Sequence, residues 1–315
     1  MTEVMMMSSL KNKDILHGNQ FSKKEIDAII KTASEFEREL KKRSSLNLLK
    51  GKILATLFYE PSTRTRLSFE TAMQRLGGGV IGMGSVESSS VAKGETLVDT
   101  VRTVSQYADV IVIRHPRTGS AKEAADAVPI PVINAGDGAG QHPTQALLDV
   151  YTIYKELKTL KKLRVSLVGD LKNGRTVHAL VELLSLFGAR LYFVSPNTLR
   201  MPEGITSNLK QKGIEVEETE DLFKAASESD LIYMTRIQKE RFENLSDYER
   251  VKGSYIINGE FLKRLRKAII ILHPLPRVDE INPEVDSYPG AAYFRQVRNG
   301  VFVRMALLAM ILGKR

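Results

Sequence analysis

Residues 58–70 read Phe-Tyr-Glu-Pro-Ser-Thr-Arg-Thr-Arg-Leu-Ser-Phe-Glu. Ser62, Thr63 and Thr65 stand just ahead of an apolar helical pattern, where backbone N–H groups and the positive end of the helix dipole favour an anion such as phosphate. Arg64 adds a planar guanidinium that can grip two oxygens at once, which a lysine does not do with the same geometry. A Ser/Thr N-cap followed by exposed arginines is the plainer reading, but capping requires neither both arginines nor so many hydroxyls.

Other loops carry the same kind of residue. Arg114 follows the apolar run Val110–Ile113; an arginine at the carboxyl end of a buried strand needs an anion, either an acid of its own domain or a ligand. Residues 135–145 are glycine-rich and lead through Pro143 into a helix, with His142 and Gln145 three apart across its first turn, placed to donate hydrogen bonds to a carbonyl oxygen gaining negative charge. Residues 169–176 nearly match the G-x-x-x-x-G-K-[ST] phosphate loop, with Arg175 in place of the lysine. That makes a P-loop nucleotide-binding protein a rival, although the later strands close in Thr235-Arg236 and His273-Pro274 instead of the acid that a magnesium nucleotide site requires.

Arg236 and Gln238 follow Leu231–Met234. Lys93, in a small-residue loop with Ser88 and Ser89, reads as a cationic lid against the default of a solvated lysine. The two prolines of His273-Pro274-Leu275-Pro276-Arg277 make a stiff turn whose carbonyls can face a ligand's N–H groups. No paired catalytic carboxylates, nucleophile elbow or metal-ligand cluster is evident, so neither a metal nor a cofactor is expected.

These loops need a scaffold, and the spacing predicts one. Ser22-Lys23-Lys24-Glu25 is a capping-box pattern with Ile26, Ile29, Ile30, Ala33 and Phe36 following at helical spacing. Apolar strands are predicted over 52–58, 80–83, 110–113, 131–134, 164–168, 191–194, near 214–216, 231–234 and 269–272, with helices near 67–76, 95–107, 144–157 and 177–187. Alternation of this kind gives parallel sheets with ligands beyond the carboxyl ends of the strands. The predicted fold class is α/β: two doubly wound parallel-sheet domains, residues 1–145 and 146–295, joined by the helix around Gln145–Leu157. A final helix, from about Val301 within residues 296–315, is expected to pack across both and back onto the first.

The chain has 315 residues, 46 Lys plus Arg against 37 Asp plus Glu, a net charge of +9, and no cysteine. This composition excludes disordered, collagen-like and disulfide-stapled classes, cysteine nucleophiles and thiolate metal sites. The basic surplus invites a nucleic-acid reading, but the cations are interleaved with acids, as in KKEIDAIIKTASEFERELKKR, so no nucleic-acid partner is expected. The start of the chain does not read as a signal peptide, and the most apolar stretch, Met305–Leu312, is too short to span a bilayer. A soluble, cytoplasmic protein without a membrane partner is expected.

The segments FYEPSTRTRLSFE, RHP, HPTQALLD, GDLKNGRTVHAL, YMTRIQKER and HPLPR, in this order over nearly the whole length, resemble the catalytic chains of the aspartate carbamoyltransferases, within the aspartate/ornithine carbamoyltransferase superfamily. Ornithine enzymes typically carry His-Cys-Leu-Pro where this sequence has HPLPR, so the absence of cysteine favours aspartate over ornithine; ornithine or another amino acid is the nearer alternative substrate. The resemblance implies that the first domain binds carbamoyl phosphate through Ser62, Thr63, Arg64, Thr65 and Arg114. Arg64, Thr65 and His142 would polarise the carbamoyl oxygen, and Gln145 and the backbone carbonyls of Leu275 and Pro276 would receive its NH2.

The second domain would bind L-aspartate through Arg175, Arg236 and Gln238. Ser89 and Lys93 would come from the neighbouring subunit of a homotrimer; Ala92 stands where some relatives have another lysine. The resemblance also leaves room for a separate zinc-bearing regulatory chain. The reaction implied, an early step of pyrimidine biosynthesis, is attack of aspartate's amine on the carbamoyl carbon with loss of phosphate. Two such substrates carry about four negative charges, which need matching cations when buried. Positioning alone can supply about 7–11 kcal/mol of the barrier reduction, with domain closure excluding water.

Overall fold

A computed structural model describes residues 10–83, 90–138 and 140–315. Two compact units form, one from the residues up to Leu148 together with Val297–Arg315 and the other from Asp149–Gln296.

The sheet of the first unit contains β1 (Ile53–Phe58), β2 (Gly79–Gly82), β3 (Val110–His115) and β4 (Val132–Asp137), all parallel, in the order β2-β1-β3-β4. Both faces of β1 are covered, and Leu54, Ala55 and Leu57 are buried, as expected of a parallel strand written as an unbroken apolar run. Ala55, Leu57, Ile111, Ile113 and Val132 pack with Val101 of helix Leu97–Val104 and with Ala121 and Ala124 of helix Ser120–Ala127. The helix Lys23–Glu39 starts at the predicted capping box: Ser22 Oγ accepts the Glu25 N–H at 3.3 Å, and the Glu25 carboxylate accepts the Ser22 N–H at 2.9 Å.

The sheet of the second unit contains β5 (Arg164–Val168), β6 (Arg190–Val194), β7 (Val216–Thr219), β8 (Leu231–Met234) and β9 (Ile270–Leu272), all parallel, in the order β7-β6-β5-β8-β9. Val168, Val194, Ile232, Met234 and Ile271 share one buried cluster with Ala225 and Ala226 of helix Leu222–Glu228.

Several predicted boundaries move, among them the helix predicted from 67, which starts at Thr63, and two shifts have a clear local cause. Ile214 closes a helix and does not open a strand: after Glu203–Gln211, Gly213 turns the chain at φ +74° and the Ile214 N–H returns to the Leu209 carbonyl, so β7 begins at Val216. The last helix begins at Tyr293, ahead of the predicted Val301, because its first turns carry polar residues, among them Gln296 and Asn299, that are nevertheless buried. Five short helices were not anticipated: Ser120–Ala127, Glu203–Gln211, Leu222–Glu228, Leu245–Val251 and Gly259–Leu265. Two turns give too few repeats for a periodic signal.

Candidate active site

In the first sheet the connections from β1 lead to one side and those from β3 to the other, which leaves a crevice at the carboxyl ends of β1 and β3. The sequence reading placed its anion-binding residues there. Phe58 is in register with Arg114, and the Tyr59 N–H donates to the Arg114 carbonyl at 2.8 Å. Ser62 is the N-cap of helix Thr63–Arg75, yet its side chain makes no cap hydrogen bond.

The two arginines of the motif divide. Arg66 Nε donates to Glu70 Oε1 at 2.8 Å, one helical turn on, and Glu70 also accepts the Thr56 hydroxyl at 3.2 Å. Arg64 instead lies near Arg114: burial and the like charge of Arg114 both lower its pKa. Burial also lowers the pKa of Arg114, partly countered by Glu60, whose Oε2 lies 3.3 Å from Arg114 Nε. The acid that Arg114 required is thus partly supplied from its own domain. Two neighbouring guanidiniums, Arg114 half-buried and Arg64 at the surface, still favour a further anion, and the helix terminus beside them favours it too.

The third loop leaves β4, the neighbour of β3. Buried Asp137 organises it, accepting the Gly119 N–H at 2.8 Å, the Gln141 N–H at 2.8 Å and the Asn134 side-chain amide at 3.0 Å. Gly138 has φ +53°, and a Cβ there would meet the Pro116 carbonyl at 2.5 Å, so the β3 and β4 loops approach as closely as glycine allows. His142 is buried and precedes helix Pro143–Leu157, its carbonyl accepting the Gln145 N–H at 3.0 Å. The predicted pair is therefore one residue at the cap and one in the first turn. Three adjacent strand ends gather Ser62, Thr63, Arg64, Thr65, Arg114, His142 and Gln145.

The second sheet reverses direction between β5 and β8. A Cβ on Gly169, at φ +113°, would meet the Thr235 carbonyl at 2.3 Å, and Gln238 Nε2 donates to the Asn173 carbonyl at 3.4 Å. Arg175 opens helix Arg175–Ser185 behind Gly174. The phosphate-loop reading of 169–176 fails on Asp170: fully buried, its Oδ1 accepts the Asn173 N–H at 3.0 Å, and both its oxygens accept the Asn173 side-chain amide. A carboxylate occupies the place where that reading needs a phosphate. Arg236 makes a two-point pair with Glu240, one contact at 3.0 Å, and this hydrogen bonding raises its pKa against the effect of burial. A cavity lined by Gly169, Thr235, Arg236, Tyr248, Lys252 and Glu280 opens beside it.

Leu275 and Pro276 follow β9, which neighbours β8; their peptide bond is cis and Leu275 has φ +55°. Lys93 is exposed at the end of the short turn Ser90–Lys93. Ser89 lies outside the described residues, as does Ser88. Glu60 and Glu240 partner Arg114 and Arg236, roles that their residue type alone does not announce. Glu240 carried a readable signal in its spacing of four from Arg236.

A family model described as the carbamoyl-P binding domain of aspartate/ornithine carbamoyltransferase matches residues 13–155, and one described as the Asp/Orn binding domain matches residues 161–311. The aspartate carbamoyltransferase catalytic subunit of Thermococcus onnurineus is 55% identical over 303 residues, covering 96% of this chain and 98% of that protein. That of Methanopyrus kandleri is 56% identical over 308 residues, covering 98% and 99%. Among solved structures, aspartate transcarbamoylase from Trypanosoma cruzi in complex with carbamoyl phosphate and aspartate is 44% identical with a TM-score of 0.93, covering 98% of this chain and 99% of that one. The catalytic subunit of M. jannaschii aspartate transcarbamoylase is 53% identical with a TM-score of 0.88, covering 94% and 96%. Matched along almost its whole length and identical to these catalytic subunits at more than half of the aligned positions, the chain belongs to the aspartate/ornithine carbamoyltransferase family and stands within it among the aspartate carbamoyltransferases.

Proposed function

We propose that the chain transfers the carbamoyl group of carbamoyl phosphate to the amino group of L-aspartate, giving N-carbamoyl-L-aspartate, a precursor for pyrimidine synthesis, and phosphate. The observation that carries this reading is the Arg64–Arg114 pair beside a helix N-terminus at the first strand-order reversal: that is a phosphate site charged in advance. Ser62, Thr63, Arg64, Thr65 and Arg114 hold the phosphate. Arg64, Thr65 and His142 donate to the carbamoyl oxygen as it becomes anionic in the tetrahedral centre, where fixed donors are worth most. Gln145 and the carbonyls of Leu275 and Pro276 accept from the carbamoyl NH2. Arg175, Arg236 and Gln238 bind the carboxylates of aspartate, and the departing phosphate takes the amine proton.

Ser89 and Lys93 complete the site of a neighbouring subunit in a homotrimer, which fits the exposure of Lys93 on the single chain. A separate regulatory chain is compatible with the catalytic-subunit relatives. The test is phosphate release from carbamoyl phosphate with aspartate or ornithine as acceptor, beside the mass of the chain in solution. Faster turnover with ornithine overturns the substrate; a monomer that retains full activity overturns the shared site.

A further inference from the structure

The β9 strand is three residues long, paired with β8 on one side and tied on the other by the Ile271 N–H to the Gly290 carbonyl at 2.8 Å and by the Ala292 N–H to the Ile271 carbonyl at 2.9 Å, and the turn behind it lies beyond both ties. That turn nevertheless contains Leu275 in the left-handed region at φ +55°, a conformation that costs a side-chain-bearing residue about 1–2 kcal/mol and persists only where its surroundings impose it. The imposing groups are buried and connected. His273 Nδ1 accepts the Leu275 N–H at 2.8 Å, which fixes the ring proton on Nε2, and Nε2 donates to Glu280 Oε1 at 2.7 Å. The other carboxylate oxygen of Glu280 accepts the N–H groups of Val278 and Asp279, each at 3.2 Å.

From the other side, the His273 N–H donates to Gln296 Oε1 at 3.0 Å, and Gln296 Nε2 donates to Asp149 Oδ1 at 2.6 Å. The Tyr233 hydroxyl holds Asp149 Oδ2 at 2.7 Å. Asp149, His273, Gln296 and Glu280 are 0%, 1%, 1% and 5% exposed. With both ends of its amide engaged, Gln296 cannot turn over without opposing donor to donor and acceptor to acceptor.

We propose that Gln296 and Glu280 are positioning residues for the carbamoyl amide: acting through His273, they hold Leu275 in its left-handed turn so that the carbonyls of Leu275 and Pro276 are presented to the carbamoyl NH2. The inference rests on the reading of those two carbonyls given above. It makes the relay specific for one half of one substrate. Acetyl phosphate carries a methyl group in place of the NH2 and has nothing to donate to the two carbonyls, so loosening the turn costs it nothing.

The experiment measures, on the full-length chain, the KM for carbamoyl phosphate and the Ki of acetyl phosphate as its competitor, in Gln296→Asn and Glu280→Gln. The shorter amide of the first cannot reach both His273 and Asp149; the second puts a donor against the Val278 and Asp279 N–H groups or against His273. The expected result in either variant is a rise of about tenfold in the carbamoyl phosphate KM, the size of one or two lost hydrogen bonds, with the acetyl phosphate Ki changed less than about twofold. His273→Asn, which keeps an acceptor near the Nδ1 position, should lose less carbamoyl phosphate affinity than His273→Gln. An unchanged KM, or equal losses for both phosphates, overturns the proposal. No phosphate release by the unaltered chain with aspartate overturns the assigned reaction itself, and the two failures are told apart by that control.

Discussion

The two sheets reverse strand order in the same way and put cationic loops at the reversal, yet they treat those charges oppositely. At β1 and β3, burial lowers the pKa of both Arg64 and Arg114, the charge of Arg114 adds to the lowering at Arg64, and Glu60 offsets part of it at Arg114. At β5 and β8, Arg236 is paired with Glu240 through both nitrogens of its fork, and Asp170 fills the neighbouring loop. The first crevice sets two like charges beside one acid, an arrangement that favours an added anion. In the second, the arginine already holds a carboxylate at two points. The lesson is that topology supplies the place for a ligand, whereas the carboxylates near the arginines decide how strongly that place demands an anion.

The comparison breaks most severely at Arg64. Arg64→Ala should lower turnover by about 100-fold to 1,000-fold, the cost of removing a transition-state donor, with the circular dichroism unchanged; near-normal turnover would dissolve the contrast between the two crevices. Next in size is Gly169→Ala, where a Cβ would sit 2.3 Å from the Thr235 carbonyl at a φ of +113°. We expect a stability loss of about 3 kcal/mol in urea unfolding, since strain and steric conflict add; an unaltered midpoint would mean that the β5 and β8 loops are not pressed together.

Arg236→Ala should raise the KM for aspartate about 10- to 30-fold while leaving carbamoyl phosphate binding within about twofold, the loss of one charge-assisted bidentate contact. Equal loss for both substrates would show that the crevices do not divide the substrates between them. The smallest effect belongs to Arg66→Ala. Its pair with Glu70 is partly exposed, at 37% and 21%, so stability should fall by less than about 1 kcal/mol and turnover by less than about threefold. A loss matching that of Arg64→Ala would erase the distinction between the two arginines of the motif.

The sequence was most legible where a signal is local. The Ser22 box, the strands Arg164–Val168 and Leu231–Met234, and the proline at the head of helix Pro143–Leu157 all lie where spacing places them. It was least legible where a polar residue is buried by something distant. Gln296 reads as surface until His273 and Asp149 are found on either side of it, and Ile214 reads as a strand residue until its N–H is seen returning to Leu209. Residues 169–176 look like a phosphate cradle until Asp170 is seen inside the loop.

By itself the sequence determined which residue types stand after which strands, because apolar period, caps and prolines act over a few residues and the chemistry of a guanidinium or hydroxyl travels with it. It also fixed the family, through motifs spread over both units. Only the tertiary structure decided that β1 lies beside β3 and β5 beside β8, and therefore that Arg114 comes near both Arg64 and Glu60. Those approaches join residues tens of positions apart across a parallel ladder, so they depend on crossover connections and on burial that no local stretch of sequence encodes, whereas the Arg236–Glu240 pair is local.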